Sequence, residues 1–111
     1  MARPGYLGEF ELVVLLALIR LGDNAYGVPI AQEIEARCGR EAALGSVYAA
    51  LERLEEKGLV LSTLGDPTAE RGGRAKRYFQ PTCQGLQAVR ETRKALVSLW
   101  QGLPGLDGGT A

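Results

Sequence analysis

Residues 44–54 read Leu44-Gly45-Ser46-Val47-Tyr48-Ala49-Ala50-Leu51-Glu52-Arg53-Leu54. At about 100° per residue, Val47, Ala50, Leu51 and Leu54 converge on one side of a helix, which predicts a core-facing stripe. Gly45, Ser46, Ala49, Glu52 and Arg53 fall on the other side. A small Ala49 at the middle of that face lets the helix axis approach the floor of a DNA major groove. Tyr48 lies on the flank, either as a packing residue or with its phenol tip on a phosphate. The helix is expected to run from about Leu44 to Lys57 and to end at Gly58, which supplies a left-handed cap.

Downstream, Arg71-Gly72-Gly73-Arg74-Ala75-Lys76-Arg77 places four cations and no anion at a glycine-bent turn, although the chain balances 13 basic against 13 acidic residues. Leu59–Leu64 reads as a strand, Gly65-Asp66-Pro67 through Gly73 as a long loop, and Lys76–Gln80, with Tyr78-Phe79, as the returning strand. Together they predict a two-stranded wing. Charge runs are usually solvated surface, but this one follows a groove-sized helix on a glycine hairpin. That placement points to phosphate contact by Arg71, Arg74, Lys76 and Arg77, with Gly72 and Gly73 making the bend. The face of the helix carries no Asn or Gln to read bases, so discrimination rests on Ser46, Arg53 and DNA shape.

Working outward, Leu7–Leu21 is apolar on nearly every side and predicts a buried central helix. Gly22-Asp23-Asn24 breaks it. Tyr26–Arg37 separates Val28, Ile30, Ala31 and Ile34 from Glu33 and Glu35, as a half-buried helix does, and Gly39 closes it. Pro29 falls in the first turn, where its missing N–H is not needed. Tyr26 is, like Tyr48, either a packing residue or a phosphate donor.

Thr82 is the expected N-cap of a last helix. Leu86, Val89, Arg93, Leu96, Trp100 and Leu103 follow the spacing of a coiled-coil seam, interrupted by Arg93. A helix of roughly 30 Å is too long to hide against so small a domain, so a second copy is its expected cover. Pro104-Gly105 stops it. The organisation expected is a mainly α (α+β) winged helix-turn-helix over 7–81, a C-terminal dimerisation helix over 82–103, and a disordered tail over 104–111.

The bulk properties narrow the function classes. The 111 residues suit one domain, and 46% hydrophobic with 23% charged residues is ordinary globular composition. The longest apolar run, Leu12–Ile19, is eight residues, against the roughly 20 that a membrane helix needs. A cytoplasmic protein is the expectation. Two distant cysteines and no histidine leave no metal-ligand spacing and no Ser/His or Cys/His pair. Neither an enzyme nor a cofactor or metal site is expected. Cys83 would sit in the first turn of the last helix, where the dipole lowers a thiol pKa, but a lone cysteine is more often an inert small residue.

Tyr26-Gly27, Gly45-Ser46-Val47-Tyr48, LERLEEKGLV over residues 51–60, and Gly72-Gly73-Arg74 with Lys76-Arg77-Tyr78 occur in an order that resembles the PadR family of bacterial transcriptional regulators. The resemblance covers about residues 7–103. It implies a dimeric repressor on a near-palindromic operator, of the branch with a single short C-terminal helix. In some relatives, aromatic side chains on this helix line a ligand pocket between protomers, which makes Trp100 a candidate contact for a small aromatic effector. One departure concerns the reading helix: many relatives have a Ser, often with a Pro, where this chain has Ala43-Leu44, so the usual side-chain N-cap is missing. The partners expected are double-stranded DNA and a second copy of the chain. The alternative is a winged-helix protein-interaction module without DNA binding.

Overall fold

Helix α1 (Glu9–Leu21) is apolar almost all round and is the member against which α2 and α3 pack. The computed structural model describes residues 6–65 and 76–106. Helix α1 begins two residues later than its apolar pattern predicts, because Gly8 is extended and serves as the N-cap. Glu9 and Glu11 then fall in the first turn, where carboxylates complement the helix dipole. Leu7 stays outside the helix but is buried, and its N–H donates to Thr92 Oγ1 at 3.1 Å.

A single 3-10 turn, Gly22–Asn24, leads to α2 (Gly27–Cys38), with the extended Tyr26 before it and Gly39 closing it through an N–H bond to the Glu35 carbonyl. Helix α3 (Leu44–Glu56) buries Val47, Ala50, Leu51 and Leu54 against Val14, Leu15, Leu18, Ile30 and Ile34. Each large side chain removed from water there contributes about 1.5–3 kcal/mol. After α3 the chain reverses at Gly58, whose φ of 78° lies in the left-handed region that a side chain resists.

Strands β1 (Val60–Leu64) and β2 (Arg77–Pro81) pair antiparallel, from Val60 opposite Pro81 to Leu64 opposite Arg77. Alternation turns Val60 and Phe79 into the core. On the other edge of β2, the Phe79 N–H donates to the Ala25 carbonyl at 2.8 Å, which ties the hairpin to the α1–α2 connection. The fold is a winged helix-turn-helix, with the hairpin as the wing.

Helix α4 (Cys83–Trp100) starts where its cap predicts: Thr82 Oγ1 accepts the Gly85 N–H at 3.0 Å and donates to the Gly58 carbonyl at 2.8 Å. Its buried residues are Gly85, Ala88 and Thr92, three and four apart. These small side chains let the helix lie close against the Leu59 region, so the face that docks on the domain is not the leucine-rich seam. The helix ends at Trp100, short of Leu103, and turns follow at Gln101-Gly102 and Pro104–Leu106, with Gly102 at φ 81°. Leu103 therefore lies beyond the helix and reaches back through its N–H to the Trp100 carbonyl at 3.2 Å. Residues 107–111 of the expected tail lie outside the described residues.

Candidate nucleic-acid interface

The outer face of α3 carries Gly45, Ser46, Ala49, Glu52 and Arg53, all exposed. At its start, Ala43 occupies the N-cap position with extended backbone and has no side-chain acceptor to offer. The leading amides of Leu44, Gly45 and Ser46 thus keep the positive end of the helix open to an anion. Apart from its chain neighbours and the helix's own adjacent backbone, no described atom lies within 4 Å of where a Gly45 β-carbon would stand. With Ala49 in the middle, this end of α3 is slim enough to enter a groove that a bulkier face would block.

Tyr48 flanks that face, half-buried, and its ring rests on Gly27 at the start of α2. A β-carbon on residue 27 would overlap the phenol, so the Tyr-Gly opening of α2 is a packing requirement of α3. Tyr26 is half-buried too. Its ring meets Tyr78 of β2 edge-on at 5.3 Å between centroids, and Lys76 Nζ stands 4.6 Å over it while donating to its hydroxyl at 3.3 Å. Gly65 leaves room for the Tyr78 ring on the other strand. Two phenols and an ammonium therefore meet at the base of the wing.

The remaining cations near α3 are held by acids. Arg53 Nε donates to Glu11 Oε2 at 3.1 Å and Lys57 Nζ to Glu11 Oε1 at 2.9 Å, from the last turn and the C-cap of α3 to the first turn of α1. Burial by itself would raise the Glu11 carboxyl, but the hydrogen bonds from Lys57 and Arg53 outweigh it and hold the group below the usual carboxylate value. Arg53 keeps about half of its side chain exposed. On the wing, Arg77 Nη2 donates to Glu55 Oε1 at 2.5 Å, with its guanidinium 5.1 Å above the Phe79 ring. Arg71, Gly72, Gly73 and Arg74 lie outside the described residues.

Sequence reasoning missed Glu11 and Glu55 as organising groups. The signal for Glu11 was a carboxylate on the stripe of Val14, Leu15 and Leu18, where an acid needs a cationic partner, and Arg53 and Lys57 stand four apart as a matching pair.

On α4, Leu86 and Val89 are half-buried, and Val89 packs on the domain core. Farther along, Leu96, Leu99, Trp100 and Leu103 are exposed, at 41%, 75%, 48% and 43%. The described chain therefore leaves the second half of the seam bare. A hollow beside α4, lined by Tyr6, Gln87, Arg90, Glu91, Lys94, Ala95 and Ser98, does not include Trp100. Among the described residues no three His, Cys, Asp or Glu side chains gather as metal ligands, and no helix is long and apolar enough to cross a membrane. Cys38 and Cys83 are exposed free thiols.

The chain matches the model of the transcriptional regulator PadR-like family over residues 15–91. Among solved structures it is similar to a PadR family transcriptional regulator from Eggerthella lenta DSM 2243, at 25% identity and a TM-score of 0.68, covering 92% of this chain and 88% of that one. It is similar to the complex structure of hsRosR-S4 at 26% identity and a TM-score of 0.68, covering 90% and 79%. A PadR family transcription regulator from hypervirulent Clostridium difficile R20291 shares the fold at 23% identity and a TM-score of 0.68, over 83% and 91%. None of the curated proteins matches the chain.

Proposed function

The chain belongs to the PadR-like family of transcriptional regulators, and on that premise we propose that it is a homodimeric repressor of a near-palindromic operator. Residues 7–81 form the reading head and residues 82–103 the dimerisation arm. The observation that carries this reading is the outer face of α3. It is small at Gly45, Ser46 and Ala49, uncapped at its start, and set beside a hairpin whose sequence carries Arg71, Arg74 and Lys76. Such a face suits a major groove, and the hairpin cations suit the phosphates alongside it.

Tyr26, Tyr48 and Lys76 stand where the flank of α3 and the base of the wing would meet the DNA backbone. Ser46, Ala49 and Arg53 are the residues that face the bases. Dimerisation is supported by the bare apolar residues Leu96, Trp100 and Leu103, since a large exposed patch favours association with a second copy. Two reading helices fixed about one helical turn of DNA apart, roughly 34 Å, call for matched half-sites. Trp100, exposed on the same arm, is the contact offered to a small aromatic effector. Such a regulator works in the cytoplasm, where its DNA is.

Titration of binding to a random duplex against salt tests the reading. Phosphate contacts release counterions, so the logarithm of affinity should fall steeply with the logarithm of salt concentration. A protein-interaction module with the same fold would bind no duplex and show no such slope. Sequencing the DNA that the protein retains from a random duplex pool would then give the operator.

A further inference from the structure

Three elements meet at one carboxylate. Glu55, in the last turn of α3, accepts from Ser62 Oγ of β1 at 2.8 Å through Oε2 and from Arg77 of β2 at 2.5 Å through Oε1. The pairing register places Ser62 opposite Phe79 and Leu64 opposite Arg77, so Ser62, Phe79 and Arg77 share one face of the hairpin. That face is turned toward α3. Phe79 is core, only 2% exposed, and the Arg77 guanidinium lies over its ring. Arg77 is thus held by a charge on one side and a fixed aromatic plane on the other.

We infer that Glu55 is the positioning residue of the wing. It fastens both strands to the reading helix, so the wing strands, with Lys76 at their base, stand at a set distance from α3 when both meet the DNA. Arg77 is the strut of this joint and not a phosphate contact. The inference rests on the DNA-binding reading above. Its consequence is selective. A specific site requires α3 and the wing to fit one duplex together, and holding them in register beforehand reduces the ordering that binding must impose. A loosened wing still finds phosphates on any duplex, because that attraction does not depend on register.

The test compares Glu55→Gln, which keeps the size and the Ser62 bond but removes the charge, with Arg77→Gln and the double variant. Without DNA, hydrogen exchange of the hairpin amides at Thr63, Gly65 and Tyr78 should quicken in Glu55→Gln, while the Leu15 and Ile30 amides in α1 and α2 stay protected. Unchanged hairpin exchange would overturn the joint. With DNA, the probes are a duplex selected from a random pool and an unselected duplex of the same length. The ratio of the two affinities should fall about fivefold, the scale of a half-exposed ion pair, with unselected binding retained. The double variant should be no worse than either single one. Wild-type binding with an unchanged ratio in Glu55→Gln would overturn the positioning role alone, whereas a wild type that binds neither duplex would overturn the DNA reading and this role with it. Ser62→Ala and Arg77→Lys each weaken one arm of the joint. If Glu55→Gln does not fold, they should show the same quickened exchange and a smaller fall in the ratio, and the absence of both effects would overturn the inference.

Discussion

Gly85, in the first turn of α4, lies directly against the carbonyl oxygen of Leu59, so closely that a β-carbon at residue 85 would overlap that oxygen. The oxygen is itself held in place by the Thr82 N–H at 3.0 Å. Gly85→Ala must therefore push α4 off the domain and should destabilise the fold by about 2 kcal/mol in urea unfolding. Gly45→Ala meets open space and should stabilise it by up to about 0.5 kcal/mol through helix propensity, while weakening DNA binding by adding bulk to the reading face. Similar stability in the two variants would show that α4 is not seated on Leu59.

Glu11 should give the fold an acid-side pH dependence. Its pKa is depressed in the folded state, so the stability it contributes is present above the ordinary carboxylate pKa and is lost as pH falls through the depressed value. Glu11→Gln should cost about 1–2 kcal/mol at neutral pH, since it leaves Arg53 and Lys57 without their carboxylate. The difference from wild type should close as the pH is lowered through and below the ordinary carboxylate range, where the wild-type carboxyl becomes protonated as well. Urea melts at neutral and acid pH decide it, and a gap that stays constant would mean that the ion pairs contribute nothing.

Ala49→Glu should abolish binding to the selected operator by steric and charge conflict with the groove, with the circular-dichroism spectrum unchanged because residue 49 is exposed. Specific binding that survives with a native spectrum would remove α3 from the reading role.

Arg71→Ala with Arg74→Ala should weaken all duplexes alike and lower the salt slope by about 2, one unit for each lost phosphate contact. A slope equal to that of wild type would place the wing tip away from the DNA.

Leu96→Asp with Trp100→Asp should turn a dimer into a monomer and lose operator affinity far more than the wing variants do, because two reading helices would no longer be fixed about 34 Å apart. Sedimentation velocity reads the change directly. A wild type that is monomeric at micromolar concentration would dissolve the seam.

Much of this architecture is determined by the sequence itself. The stripe Val47, Ala50, Leu51 and Leu54, the reversal at Gly58, the alternating strands and the Thr82 cap are all within a residue or two of where local pattern puts them. They depend on backbone geometry over a few residues, and neighbours in sequence suffice to express it. The seam on α4 was equally visible as a pattern, yet only the tertiary structure decided which face the domain uses. Close approach to Leu59 selects the small residues Gly85, Ala88 and Thr92 and leaves Leu96 and Trp100 bare. The destinations of the charges were likewise decided in three dimensions. Arg53 and Lys57 find Glu11 across 42 and 46 residues, and Arg77 finds Glu55 across 22. A charge has no periodicity that names its partner; it pairs with whatever opposite charge the packing of apolar faces brings within a few ångströms.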